Sequence, residues 1–515
     1  MKKTAKTLLA TLLALTMLCA LALPVWAADT TENLGTHKFE AFQIFTGDVA
    51  DVGGKNVLSN VKPGHNVPAT ILDDLKKDAT LNLSTATDLT DAIKQISSFT
   101  DDQMVTLARF FYKKKTGTAF ATSNSNSFDV TAGGYYLIVD TTAYNNPSDS
   151  HHAKNFSVLY LARAGEKITV KSKVVKPTVE KKVQTNNDLD NPTWGTSADH
   201  AVDEPFLFKL TATLPATDAY KYYTQYSVAF SDKWSDGIVF DELVSVKANS
   251  NPLTKDNDYE FYDAKATSDK FFTLTINDVK AIRSVADVME LTGVDIEVVY
   301  KAHLDTKADF SGKHSTATTN KNTVTLSYPG DPNDTDMSGY AFPGVTPKSV
   351  AYVASYKVEN IKYKDEATAG HELKDAGFTL YDSTGTTPIK LKKDATDKYY
   401  YPSTATGATA EIFSADDGTF HIKGLDAGTY WLKETTTPAG YNTCKPIEIK
   451  IIATLTNDTV NLTGSTNMLN EIVDYSGVVL PSTGGMGTTI FYVLGGILAV
   501  GAAVLLVTKK RMERI

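Results

Sequence analysis

The chain has 515 residues, of which 42% are hydrophobic and 22% charged, and a formal net charge of −9. Setting aside three lysines among the first six residues and a net three positive charges in the last eight lowers that charge to about −15. This balance excludes nucleic acid and anionic lipid as partners, and the apolar content excludes an unfolded chain.

The start reads as a secretory leader. "MKKTAK" is a positive segment, "TLLATLLALTMLCALAL" an apolar core, and "PVWAA" a small-residue cleavage site, so residues 1–27 are expected to be removed after Ala27. About 450 exported residues follow, enough for two to four domains. The cysteines are Cys19, inside the leader, and Cys444. The mature chain therefore forms no internal disulfide, although it matures where disulfides are stable. Any covalent staple must use other chemistry.

In the first region, 28–172, "HKFEAFQIFTGDV" (37–49) and "GGYYLIVDTT" alternate as strands, and "DQMVTLARFFYKKK" (102–115) has a helical period ending in lysines that suit its C-terminal dipole. The lysine-rich passage 167–183, broken by Pro177, marks a boundary. In the middle region, 173–345, "FLFKLTATL", "YSVAFSD", "FFTLTI", "VDIEVVYKA" and "NTVTLSY" read as strands. "INDVKAIRSVADVMELTG" (276–293) predicts a helix with Asn277 as cap and Gly293 as stop. The Pro/Gly/Asp-rich passage 328–353 is the next boundary. The third region, 346–475, offers "GTFHIKGL", "GTYWLKET" and "PIEIKIIATL". The expected fold is all-β: tandem immunoglobulin-like sandwiches with small helical insertions.

Two clusters with ligand-type residues are read as turns. "DPNDTD" could offer Asp331, Asn333 and Asp336 to a cation, but Asx turns account for it. His151 and His152 lie beside Pro147 with no third ligand near in sequence. No metal or cofactor is expected.

The chain ends on "LPSTG" (480–484), an uncharged stretch at 488–507 long enough to cross a bilayer, and a basic tail, 508–515. This three-part order resembles the cell-wall sorting signal of Gram-positive surface proteins, where Leu480, Pro481, Thr483 and Gly484 hold the motif positions. The resemblance implies that a membrane sortase cuts between Thr483 and Gly484, holds Thr483 as a thioester and passes it to an amine. The apolar span keeps the substrate at the membrane surface, and Pro481 fixes an extended approach. In sortase-built pili the amine is a lysine near the end of the first domain of the next subunit. "ITVKSKV" (168–174) occupies that place, with Lys171 and Ser172 where the family has Tyr-Pro. Lys173 is the expected acceptor, with Lys171 as the alternative.

"GTYWLKETTTPAGY" (428–441) resembles the strand-and-turn box of Cna B-type domains, whose buried Glu drives a self-generated Lys–Asn isopeptide bond. The resemblance makes Glu434 the assisting acid. By position it places the reactive lysine at Lys362, in "YKVENIKYKDEATAGHELKDAGFTLYD" (356–382), and the acceptor at Asn470, with Asn467 as the alternative. Burial strips a lysine of its charge and makes it a nucleophile, and it keeps a carboxyl protonated. The middle region resembles the isopeptide-forming domain of fimbrial backbone subunits. That likeness implies the pair Lys181 and Asn322, with Glu260 preferred over Asp232 as the acid.

Together these resemblances imply a sortase-assembled major pilin that is not an enzyme. The implied partners are pilus-type and housekeeping sortases, identical subunits, minor pilins, a peptidoglycan precursor and a possible host surface ligand, and not nucleic acid. A monomeric wall-anchored adhesin shares the sorting signal and the third domain but has no use for Lys173. An exported hydrolase is disfavoured because no Ser/His/Asp or metal constellation is present.

Overall fold

In the computed structural model the described residues are 37–142, 154–171, 174, 176–185, 193–217, 219–220, 223, 225–264, 270–282, 284–285, 292–312, 320–333, 344–456, 459–477 and 486–512. The leader, Lys173 and Leu480 to Gly484 lie outside them. The chain divides into two compact units, one of residues 1–356 with 453–462 and one of residues 357–452 with 463–515.

The first unit opens on an antiparallel sheet in the order β2 (Lys55–Pro63), β1 (Phe39–Val52), β3 (Gly134–Asp140), β4 (Val158–Ala162). Helices α1 (Ile71–Lys77), α2 (Leu89–Ile96) and α3 (Asp101–Lys114) share a core with it, where Phe45 meets Phe111 edge-on at 5.6 Å. Helix α3 begins one residue before the sequence expectation because Thr100 and Gln103 form a reciprocal capping box.

Two packed sheets then form the middle sandwich. The six-stranded sheet runs from Asn251–Pro252 through β8 (Ile238–Ala248), β10 (Val294–Leu304), β6 (Phe206–Leu214) and β5 (Thr178–Gln184) to Trp194–Gly195. The seven-stranded sheet runs from Ser197–Asp199 through β12 (Ser349–Ala354), β11 (Lys321–Tyr328), β7 (Val228–Trp234) and β9 (Phe271–Ile276) to Glu260–Asp263, with Gly344–Val345 also on β11. The side chains of β6 alternate between buried and half-exposed along its length, as one dry face demands.

The predicted helix at 276–293 lies partly outside the described residues, which omit 283 and 286–291. The β-branched run "TLTI" continues as strand to Ile276, and Asp278 caps a single 3₁₀ turn, Val279–Ala281, by accepting from the Lys280 N–H. Strand β12 bonds to β11 in the seven-stranded sheet, and the second compact unit begins at Lys357.

The second unit is a smaller sandwich. In its five-stranded sheet β13 (Tyr356–Lys364) lies beside the edge strand β17 (Leu469–Asp474), and its four-stranded sheet contains β14 (Gly377–Tyr381), β15 (Gly428–Thr436) and β16 (Ile447–Ile451). The first and last strands, β13 and β17, are parallel neighbours. Helix α4 (Met486–Met512) includes Phe491–Met512, a stretch of mean hydropathy 2.3, long and apolar enough to cross a membrane.

Candidate functional site: two buried lysine clusters

Three lysines are buried among the described residues: Lys181, Lys362 and Lys423. Lysine is almost never fully buried without a partner, so each needs a physical account.

Lys181 sits on β5 opposite Leu210 of β6, facing the space between the two sheets of the middle sandwich. Its Nζ meets the carboxylate of Asp232 on β7 and donates to the hydroxyl of Tyr300 on β10 at 2.8 Å. Tyr300 donates to Asp232 Oδ1 at 3.1 Å, and Asn322 on β11 donates its Nδ2 to the same hydroxyl. Lys181, Asp232 and Asn322 are all 0% exposed, and Asn322 Oδ1 has no hydrogen-bond partner. The Phe208 ring lies 4.6 Å from Nζ and completes a dry lining.

The electrostatics follow from this burial. Desolvation lowers Lys181 to about 8, against the opposing pull of Asp232, and raises Asp232. Both shifts favour moving the proton from the ammonium to the carboxyl. That leaves a neutral amine beside an amide carbon, with a carboxylic acid beside both.

Of the two acids the sequence offers, Asp232 and not the preferred Glu260 meets Lys181. Glu260 is exposed on an edge strand, opposite Thr275, where its Oε1 accepts from Asn277 Nδ2 at 2.9 Å. Asp232 lies on the buried face of β7, within reach of the lysine.

In the second unit, Lys362 on β13 is 0% exposed. Its Nζ lies 3.5 Å from Glu434 Oε1 on β15 and against the carboxylate of Asp474 on β17, although neither contact has hydrogen-bond angles. The backbone N–H of Cys444 donates to Glu434 Oε2 at 2.7 Å and fixes that carboxyl from the far side. The Phe378 ring lies 5.5 Å from Nζ and stacks on Phe420.

The expected acceptor Asn470 is not beside Lys362. The parallel register sets Asn470 opposite Asn360, and its Nδ2 donates to Asn360 Oδ1 at 2.8 Å and to Asn467 O at 2.9 Å. The alternative, Asn467, is an exposed residue at φ +58°, before β17 begins. Lys362 is level with Ile472, and its side chain reaches the Asp474 end of the strand. Asn470, Ile472 and Asp474 share one face of β17, as the two-residue period requires. The polar group of β17 within reach of Lys362 is therefore the Asp474 carboxyl and not the Asn470 amide, and the resemblance to an Asn-bearing pattern did not point to it. Its one signal was a second polar residue in phase with Asn470.

Burial pushes the Asp474 carboxyl up to about 6, against the pull of Lys362 and with Glu434 adding to the rise. Above its ordinary value of 3.8, the folded domain holds a proton that the unfolded chain has lost. The stability of an unbonded domain therefore declines as pH rises from about 4 through 6, by about 3 kcal/mol for a shift of this size. Lys362→Met blocks bonding and leaves burial unopposed. Calorimetry of this variant should show the third-domain transition at lower temperature at pH 7.5 than at pH 4.5; a rise over the same interval would contradict the buried, protonated Asp474.

Lys423 shows the opposite electrostatics. It donates to Asp394 Oδ2 at 2.5 Å and Asp397 Oδ2 at 2.7 Å. Burial would raise Asp394, but donors from Lys423 and Thr396 outweigh it and hold the carboxyl at about 2. This pair stays ionised, so it is an ordinary salt bridge with no free amine to react.

Elsewhere, the first region has no buried lysine among its described residues; its buried pair is His37 Nδ1 with Asp140 Oδ2, 2.7 Å apart. Asp331 accepts from Lys154 Nζ at 2.7 Å and from the Asn333 N–H at 3.0 Å, an Asx turn spanning the junction of the first two regions. Asp336, His151 and His152 lie outside the described residues. Lys171 is exposed at the end of the first region.

Residues 359–466 match the family model of the prealbumin-like SpaA domain, and residues 473–514 match that of the LPXTG cell wall anchor motif. No curated protein matches the chain. Among solved structures, the full-length major pilin SpaD of Corynebacterium diphtheriae is 17% identical over 86% of this chain and 94% of its own, with a TM-score of 0.46. The T6 backbone pilin of serotype M6 Streptococcus pyogenes is 14% identical over 87% and 98%, with a TM-score of 0.49. A 35 kDa C-terminal fragment of the major pilin GBS80 of Streptococcus agalactiae is 22% identical over 58% and 99%, with a TM-score of 0.42. With a SpaA domain and an LPXTG anchor motif, the chain is a cell-wall-anchored surface protein.

Proposed function

We propose that this chain is the backbone subunit of a covalent pilus, joined head to tail by sortase and cross-linked internally by two isopeptide bonds. The observation that carries the internal chemistry is the pair of fully buried lysines, each held against an acid and an acyl acceptor.

In the middle domain the Lys181 ammonium gives a proton to Asp232, and its free Nζ attacks Asn322 Cγ. The new C–N bond forms, the old one to Nδ2 breaks, and ammonia leaves. In the third domain Lys362 Nζ attacks Asp474 Cγ while Glu434 polarises the site, and water leaves. No oxidant or outside reagent is needed. The middle bond links the two sheets, and the third bond links the first and last strands within one sheet. A load applied at the ends of the chain would otherwise pull β13 and β17 apart. The role is mechanical, and each bond forms once.

Sortase supplies the third kind of bond. Cleavage between Thr483 and Gly484 frees Thr483 for Lys173 of the next subunit, with Lys171 as the alternative amine. The last subunit is passed to a peptidoglycan precursor by a housekeeping sortase, and minor pilins or a host ligand are compatible partners. Immunoblots of cell-wall extracts test this directly. A ladder of multimers that survives boiling in SDS is expected from cells with sortase and absent from cells carrying Thr483→Ala. A single wall-linked band in the wild type would make the chain a monomeric adhesin instead.

For the middle domain, Asp232→Asn should abolish the bond, whereas Glu260→Gln should leave it intact. Peptide mapping for a Lys181–Asn322 cross-linked fragment separates the two, and loss of the fragment in Glu260→Gln alone would reverse the assignment.

A further inference from the structure

The middle site contains a residue that the acid–lysine–asparagine scheme does not use. The Tyr300 hydroxyl touches all three members of the cluster. It accepts from Lys181 Nζ at 2.8 Å, donates to Asp232 Oδ1 at 3.1 Å and accepts from Asn322 Nδ2. Tyr300 is fully buried and its ring is held in place by Phe208, Phe240 and Phe272 at centroid distances of 5.3, 5.6 and 5.2 Å. We propose that Tyr300 is a catalytic residue of the middle-domain cross-link, carrying the proton from the attacking Lys181 nitrogen to the departing Asn322 nitrogen. This inference rests on the bond-forming role of the cluster given above.

The chemistry creates the need. After Nζ adds to Cγ, the attacking nitrogen carries one proton too many and the amide nitrogen one too few. An amide nitrogen is a poor leaving group until it is protonated. The site is dry, so water cannot shuttle that proton. Asp232 contacts Nζ and also interacts with the Asn322 side chain, but the hydrogen bond that Nδ2 donates goes to the Tyr300 oxygen. A phenol can give its own proton to Nδ2 and take the surplus one from Nζ in the same movement. It ends the step neutral, as it began, and the products are one secondary amide and one ammonia. Burial suits this role, because it keeps the phenol from ionising.

The third domain supports the inference by contrast. There the acceptor is an acid, the leaving group is water, and a second carboxyl, Glu434, stands beside both reacting groups. Among the described residues no hydroxyl hydrogen-bonds to Lys362 or Asp474 there, and the reaction needs none, since Glu434 can move the proton itself.

A merely structural Tyr300 would satisfy buried polar groups and affect stability without affecting the rate of bonding. The two roles separate in time-resolved mass measurements on the full ectodomain made by cell-free synthesis. Wild-type chains should lose ammonia from the middle domain soon after folding, and failure of wild type to do so would refute the cross-link itself rather than the role of Tyr300. Tyr300→Phe should slow that loss by about 100-fold or more, the usual contribution of a positioned proton-transfer group, while the third-domain bond forms at its normal rate. Folding of the variant is checked by the near-ultraviolet spectrum of the aromatic cluster. As a second variant, 3-fluorotyrosine at position 300 keeps the packing and makes the hydroxyl more acidic, so proton transfer through it should change the rate. A folded Tyr300→Phe chain that bonds at the wild-type rate would overturn the proposal. If that variant does not fold, a fluorinated chain with an unchanged rate overturns it instead.

Discussion

The mature ectodomain should weigh about 35 Da less than its sequence requires, because the middle bond releases ammonia, about 17 Da, and the third releases water, about 18 Da, as each lysine is acylated. The difference between those two losses is informative. Asp232→Asn should restore about 17 Da and Glu434→Ala about 18 Da, each without affecting the other bond, since the clusters lie in separate compact units. A total deficit of about 34 Da would return the third-domain acceptor to an asparagine, and a full calculated mass would sink both bonds. The effect on stability should be large. Lys362 and Asp474 close a loop of about 110 residues, and a cross-link of that span removes about 5 kcal/mol of unfolded-state freedom. For a domain of this size such a loss lowers the melting temperature by about 20 °C or more. Glu434→Ala should therefore leave a third domain that melts early and is cut by trypsin under conditions where wild type resists.

Lys173→Ala should remove the high-mass ladder from cell-wall extracts while leaving monomer attached to the wall. Polymerisation and anchoring both use the Thr483 acyl group, but they consume different amines, so only the first should be lost. Lys171→Ala should keep its ladder. Its lysine is exposed and its backbone carbonyl accepts from the side chain of Asn155 at 3.3 Å, so the residue is accessible without being the expected nucleophile. A ladder lost in Lys171→Ala and kept in Lys173→Ala would exchange the two roles, and a ladder kept in both would remove the amine from this segment altogether.

Much of the architecture was legible in one dimension because it depends on local pattern. The alternation in "FLFKLTATL" and "VDIEVVYKA" became β6 and β10 with the expected buried faces. The helix 102–115 formed one residue early, where a capping box offered a better start than propensity alone marked. The apolar segment before the basic tail became α4. The helix expected at 276–293 lies partly outside the described residues; its first residue, Ile276, ends strand β9, which pairs with β7 and with the neighbouring hairpin strand Glu260–Asp263.

The amino-acid sequence by itself determined the lysines Lys181 and Lys362, the Glu434 box, the order of the strands and the wall anchor, since these are matters of residue type, spacing and period. Which groups face those lysines was decided only by the tertiary structure. Asp232 and not Glu260 meets Lys181, because one sits on the buried face of β7 and the other on an exposed edge strand. Asp474 displaced Asn470 because parallel pairing sets Lys362 level with Ile472, leaving both polar residues in phase with it, and the lysine side chain reaches only one. Tyr300 entered the cluster from the same sheet as Lys181, two strands away, where register across β6 and β10 brings it beside the lysine. Strand register and sheet-to-sheet packing join residues more than a hundred positions apart, and no local spacing records which of several polar side chains will meet in the dry space between them.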